Sequence, residues 1–421
     1  MTASADLYPH KMKATRINIQ RFKKRYRYYY NASSSSLTKT SNTPDYFLDE
    51  AFVNHFVRIN IVPKLNLPND VKLSNCKINF LKRRSNRAAI EFILYLHYKR
   101  NLHRYQQQQY PQQKISKSVV GKWRSDGQGK EIFDLLQHVW KEGFAMATSN
   151  IHLKMYEPIA YFPDYNLMIS SKVEGTRLKE LLIKCNYDDI EAVEVVVRTW
   201  IMNAAKWLAK LHSIPLPIHN SRSLLLLSIQ NEEKKLKDWS LHLTNLYPDF
   251  AKRVISITSK ILQMEKTILN PRNFVLIHGD FHTGNIFVDQ GNNLTVIDFE
   301  QSCIFDPAFD LAYFIIKLIS IKRKYQLSSL NTRDLEKWFV DMYYNAAREI
   351  IVSTISSTSM ATTKKLLLER LAIFKTRSCI KLLHSRYCQH LHSRYWDCYA
   401  QHKPDPVDFQ YWLNKAEQAI I

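Results

Sequence analysis

Between residues 275 and 310 the chain gathers the oxygen-bearing side chains that phosphate chemistry needs. Val275–Ile277 reads as an apolar strand running into His278, Gly279 and Asp280. Asn285 follows, then a second apolar strand, Ile286–Val288. Asp289–Asn292 supplies a turn, and Leu294–Ile297 is a further strand that delivers Asp298, Phe299 and Glu300. Asp280, Asn285 and Asp298 are thereby expected at the ends of short strands joined by a tight hairpin. Magnesium takes carboxylate and amide oxygens together with phosphate and water. Asn285 and Asp298 are the expected metal pair, and Asp280, on the loop before them, is placed to orient a hydroxyl nucleophile. The plainer alternative is a hairpin whose acids only cap turns.

Asp280 followed by Asn285 and then by Asp298-Phe299 is the order of a kinase catalytic loop and its metal site. The run His278-Gly279-Asp280, Asn285, Ile297-Asp298-Phe299-Glu300 resembles the aminoglycoside phosphotransferase and choline kinase-like family of the protein-kinase-like superfamily. Phe305-Asp306-Pro307-Ala308-Phe309-Asp310 also matches that family's pattern. The chain has His-Gly-Asp and Asp-Phe-Glu where protein kinases have His-Arg-Asp and Asp-Phe-Gly, and no Ala-Pro-Glu, which points to the small-molecule branch. The resemblance implies an α+β, bilobal, protein-kinase-like fold, with a β-rich N-terminal lobe and a helical C-terminal lobe. It implies ATP and Mg2+ as cofactors and a small-molecule hydroxyl as acceptor. It also gives Asp310 a structural role in bracing the catalytic loop. An inactive, nucleotide-binding pseudokinase is the rival that shares the fold.

A kinase-like fold needs a third-strand lysine for the phosphates, held by a helix glutamate. Lys122 in Ser118–Trp123 fits that place, and Glu131, opening the next helix, fits its partner, with Asp134 the fallback. No Gly-x-Gly-x-x-Gly loop exists; the basic run Lys82–Arg87 stands there, with Arg83, Arg84 and Arg87 either touching phosphate or simply solvated. Gly127–Lys130 is not a Walker A loop, because it lacks the four-residue spacer. The strand Met168–Val173 is placed like the hinge between lobes, where the backbone of Ser170, Ser171 and Lys172 would hold adenine.

The elements that must carry these residues follow from the wider pattern. The sequence predicts a short helix over 46–57, strands over 77–81, 88–96 and 118–123, a helix over 131–140 and a strand over 166–173. From there the spacing turns helical: 197–211, 231–268, 309–323, 332–352, 363–397 and 406–420. Three units are expected: a tail over 1–45, a nucleotide-binding lobe over 46–172 and a helical lobe over 173–421. Only 8 of the 421 residues are glycine, and three of these fall between 279 and 291. Average usage is about 7%, so glycine is being kept for places that need it.

Charge and cysteine set the outer bounds. The net charge of +22 favours anionic partners without choosing among them. The tail carries nine Lys and Arg against Asp6 and Asp45, and Arg21–Tyr30 mixes cations with aromatic rings. Such a segment could grip nucleic acid or an anionic surface, or serve only as a solvated arm. Polyanion binding through this basic surface is therefore a second alternative function. The six cysteines form no CxxC pair, which fits a reduced, cytoplasmic setting, and no apolar run suggests a membrane span or a secretory signal. Leu383–Tyr387 recurs as Leu391–Tyr395, with His384, Cys388 and His392 at steps of four. That spacing permits a soft-metal site but equally a polar helix face.

Overall fold

The computed structural model describes residues 45–84, 86–98, 114–145, 153–184, 190–216, 229–327, 331–352, 360–387 and 405–420. The basic tail and the second Leu-His-Ser-Arg-Tyr copy lie outside the described residues, as do Cys388 and His392. In chain order, α1 (Glu50–Phe56) leads into β1 (Val71–Arg83), β2 (Arg87–Tyr98) and β3 (Lys114–Arg124). Next come α2 (Gly129–Val139), β4 (Leu153–Met155), β5 (Pro158–Phe162), β6 (Leu167–Ser171) and β7 (Thr176–Arg177). A helical run follows: α3 (Leu178–Lys184), α4 (Ile190–His212), α5 (Ile229–Leu246) and α6 (Ala251–Ile268). Four short strands interrupt it: β8 (Val275–Ile277), β9 (Ile286–Val288), β10 (Leu294–Val296) and β11 (Cys303–Phe305). The described chain closes on α7 (Ala308–Tyr325), α8 (Thr332–Val352), α9 (Met360–Tyr387) and α10 (Pro406–Ile420).

Two units divide these elements. The first takes the described residues up to Lys130 together with Ile159–Ser171; the second takes Glu131–Pro158 and everything from Lys172 onward. Most of α2, and β4, thus group with the second unit, whereas the sequence places them in the nucleotide-binding lobe.

The first unit is a five-stranded sheet in the order β1-β2-β3-β6-β5. Side chains alternate across a strand, so Ala88, Ile90, Phe92, Leu94 and Leu96 of β2 all enter the core. Val119 and Trp123 of β3 and Leu167 and Ile169 of β6 share it. Gly121 belongs to the same row, and a Cβ there would come within 2.7 Å of the Phe92 ring. A side chain at 121 would push that ring out. Phe47, Phe52 and Phe56 cover the core from α1 and the turn before it, packed edge-on and stacked.

In the second unit α7 is the spine. Its residues are buried almost all round, from Ala308 through Ile321, as expected for a helix surrounded by others. β9 and β10 form the predicted hairpin, with Ile286 opposite Val296. β4 lies parallel to β10 and β7 antiparallel to β9, giving a four-stranded sheet. β8 pairs with β11, Ile277 opposite Cys303. The two short sheets therefore place the end of β8, the start of β9 and the end of β10 where the sequence has Asp280, Asn285 and Asp298. Among the described residues no helix is long and apolar enough to cross a membrane.

Candidate active site

The loop after β8 is fixed from below by one carboxylate. Asp310, fully buried on the first turn of α7, accepts from the backbone N–H of His278 at 2.6 Å and of Gly279 at 2.9 Å. His212 of α4 approaches the same carboxylate at 3.2 Å, and its other ring nitrogen meets the Tyr343 hydroxyl at 2.8 Å. Gly279 has φ +76°, and a Cβ there would stand 2.1 Å from the Gln301 carbonyl oxygen. Only glycine fits that left-handed, crowded position. The His278 ring is buried; its Nε2 donates to the Ile297 carbonyl at 2.9 Å, and its Nδ1 accepts from the Asp280 N–H at 3.3 Å. One donor and one acceptor make a neutral imidazole, in keeping with the burial that pushes its pKa down. Trp207 stacks on Phe281 beneath the loop, anchored by its own Nε1 to the Lys154 carbonyl at 2.9 Å.

Asp280 leaves this rigid loop with its carboxylate between an imidazole and an ammonium. His282 Nε2 lies 3.6 Å from one oxygen and Lys381 Nζ 3.7 Å from the other. Lys381, on α9, also donates to the Gly279 carbonyl at 3.2 Å and sits 3.8 Å over the Tyr313 ring. Burial pushes the Asp280 carboxyl up, but the His282 ring and the Lys381 ammonium beside it hold it well below the usual carboxylate range. It is ionised throughout the physiological range. Lys317, behind it, is pushed down to about 8 by burial.

Asn285 is held against Asp280. Its Nδ2 donates to the Asp280 carbonyl at 3.1 Å and to the Asp280 carboxylate at 3.3 Å. The amide nitrogen is thus committed, which leaves Oδ1 as the atom for a cation. The Ile297 N–H donates to the Asn285 carbonyl at 2.9 Å, so the residue before Asp298 is tied to Asn285. Asp298 itself is left-handed, φ 73° and ψ 55°. A non-glycine residue held there carries strain that surrounding structure must sustain, a pattern concentrated at functional positions. One amide and one carboxylate oxygen, completed by phosphate and water, are donors of the kind magnesium accepts. Among the described residues no group of three His, Cys, Asp or Glu side chains assembles a site without such outside ligands.

The remaining expected residues fall as follows. Lys122 lies on β3, opposite Ala89 and Met168, on the sheet face away from the Phe92 core. The buried Glu91, opposite Val120 on that face, was not anticipated. Ser170 and Ser171 end β6, and the Ser170 hydroxyl donates back to the Val120 carbonyl at 3.3 Å. Glu131 and Lys172 belong to the second unit; Glu131 is exposed on α2, while Asp134, one turn on, is partly buried. Arg83 and Arg84 are exposed at the β1–β2 turn. His384 packs against His242, ring nitrogens 3.0 Å apart. Lys381, Tyr313 and Lys317 escaped the sequence reading: no motif surrounds them, and only the helix packing brings them to Asp280.

Residues 124–330 match the model of the phosphotransferase enzyme family. No curated protein matches the chain. Among solved structures, the chain is similar to an ethanolamine kinase of Plasmodium vivax at 14% identity, covering 92% of this chain and 91% of that one, with a TM-score of 0.49. A spectinomycin phosphotransferase bound to ADP and spectinomycin is similar at 11% identity, 83% and 93% coverage and TM-score 0.47. An aminoglycoside 2'-phosphotransferase bound to GDP is similar at 13% identity, 88% and 98% coverage and TM-score 0.48. The matched segment contains the whole of the loop, hairpin and brace just described, and over these residues the chain is similar to the phosphotransferase enzyme family.

Proposed function

We propose that this enzyme moves the γ-phosphate of ATP, with Mg2+, to a hydroxyl of a small molecule. The observation that carries the reading is the bonded pair at the end of β8: Asn285 Nδ2 on Asp280, on a loop that Asp310 fixes through two backbone N–H groups. Asp280 receives the acceptor hydroxyl as a hydrogen-bond donor and takes up its proton as transfer completes. Its depressed pKa suits that order, because phosphoryl transfer runs through a loose transition state that asks little of a base beforehand. Asn285 Oδ1 and the Asp298 carboxylate hold the metal. Bound magnesium supplies charge neutralisation on the phosphates. Lys122 draws the phosphates into line, Glu131 supports it, and Ser170, Ser171 and Lys172 supply backbone groups for the base. Residues 46–172 then serve the nucleotide and residues 173–421 the chemistry.

The test is a screen of hydroxylated metabolites for ATP consumption, with and without Mg2+, on the wild type and on Asp298→Ala. Metal-dependent turnover that Asp298→Ala abolishes supports the reading. Transfer at the wild-type rate by that variant overturns the metal assignment.

A further inference from the structure

A cavity of about 230 Å3 opens beside the catalytic loop, entirely within the second unit. Its lining includes Gly279 and Lys381, the aromatic rings of Trp239, Phe305 and Phe309, and the charged pair Glu232 and Lys235. Through Lys381 it is one side chain from Asp280, whose carboxylate lies 3.7 Å from that ammonium. At roughly 30 Å3 per displaced water it holds about eight waters' worth of ligand. It is smaller than the ~300–1,000 Å3 pockets that enclose drug-sized molecules.

The charges around it are unequal in what they have left to offer. Glu232 is buried and already engaged twice, by Arg377 Nη2 at 2.5 Å and by Lys235 at 2.8 Å. Arg377 is itself wholly buried and also holds Glu265 at 2.8 Å. The one carboxylate of the lining therefore has no oxygen without a cation. Lys235 is different: its side chain is 45% exposed and spends one N–H on Glu232. An ammonium has three donors; Lys381 spends one on Gly279 and also faces the Asp280 carboxylate at 3.7 Å, which leaves it less to offer than Lys235. Lys317 adds a further positive group near Asp280. A cationic acceptor would meet two ammonium groups and no uncommitted acid among the lining residues. An anionic one would find two ammonium groups and aromatic side chains among the lining residues.

We propose that the acceptor is a small hydroxylated acid whose anionic group is bound by Lys235 and Lys381 and whose body lies against Trp239. This rests on the phosphotransfer reading above. The anionic group is a carboxylate or a phosphate, and the experiment separates the two. The full chain is assayed with ATP and Mg2+ on two matched series: glycerate, glycerol phosphate, glycerol and aminopropanediol; and glucuronate, glucose phosphate, glucose and glucosamine. Binding of each compound in the presence of ADP is measured by calorimetry alongside.

Within a series the anionic members should show the lowest KM and the amine the highest, by about tenfold or more, the worth of a charge-assisted hydrogen bond. Lys235→Met should raise KM for the anionic member by about the same factor and KM for the neutral member by much less, so that the preference within a series narrows. Preference for the amine, equal use of all four, or no binding of any anionic member overturns the proposal. Failure of the underlying reading has a different signature. In that case the anions bind by calorimetry but neither the wild type nor Asp280→Asn transfers phosphate to them.

Discussion

At the scale of single residues, Asp280 and Asn285 touch, and the proposed function gives them separable roles. Asp280→Asn keeps the size and one acceptor oxygen but loses the charge that His282 and Lys381 now face. It should bind ATP and Mg2+ as the wild type does, while kcat falls by about 10²–10⁴-fold. Asn285→Ala removes an oxygen offered to the metal, so the rate should need more Mg2+ to saturate. Calorimetry beside a Mg2+ titration of the rate distinguishes them; reversed outcomes would exchange the two assignments. Lys122→Ala should lower turnover through poorer phosphate positioning, and a silent Lys122→Ala would remove that residue from the site. Lys317 gives a pH-dependent prediction of stability. Burial, with the nearby Lys381, Arg386 and Lys179 charges, depresses its pKa to about 8 despite the pull of Asp280. The folded protein thus holds this proton less tightly than the unfolded chain, whose lysine titrates near ~10.4. The charged side chain costs stability below about pH 8, and that cost fades as pH rises toward the unfolded value. Lys317→Met should therefore melt above the wild type near neutral pH, and the two Tm curves should converge by about pH 10. A variant melting no higher at neutral pH would show that the attraction of Asp280 outweighs burial.

At the scale of elements, α7 holds the site through its first turn. The two Asp310 oxygens each take a backbone N–H of the catalytic loop. Asp310→Asn would turn an NH2 group toward one of those donors, so it is not conservative here. Asp310→Ala leaves both N–H groups buried without a partner and should cost about 3 kcal/mol or more in urea unfolding, with turnover lost. If Asp310→Ala unfolds like the wild type, the loop is held by something else. The hairpin and the loop were legible in the sequence because their signals are local: short apolar runs, a turn at Asp289–Asn292 and the required acids within 35 residues; the Asp310 brace came only with the family resemblance. The helices of the second half were legible too, since 3.6-residue spacing is a local property. What escaped depended on distant partners. β4 is three residues long and exists by pairing with β10, more than a hundred residues away. Lys381 reaches Gly279 across 102 residues, and nothing around it in the chain marks it out. For Glu131 the local signal, an acid opening a helix, was satisfied by an exposed side chain.

At the scale of the whole molecule, the surplus of charge is spread too widely for one segment to account for it. Residues 1–44 hold nine cations and one anion, so deleting them takes the net charge from +22 to +14. Non-specific attraction to a polyanion follows the number of phosphates neutralised, and log K falls with log salt by about 0.9 for each on duplex DNA. The shortened chain should therefore bind duplex DNA more weakly and with a shallower salt slope, yet still bind at low salt. The tail contains none of the residues assigned to nucleotide, metal or acceptor, so kcat and KM for ATP should be unchanged. Fluorescence anisotropy across a salt series, beside the turnover assay, measures both. DNA binding wholly lost with the tail would localise the basic function there and revive polyanion binding as a role separate from catalysis. Turnover lost with the tail would instead show that residues 1–44 contribute to the phosphotransferase itself.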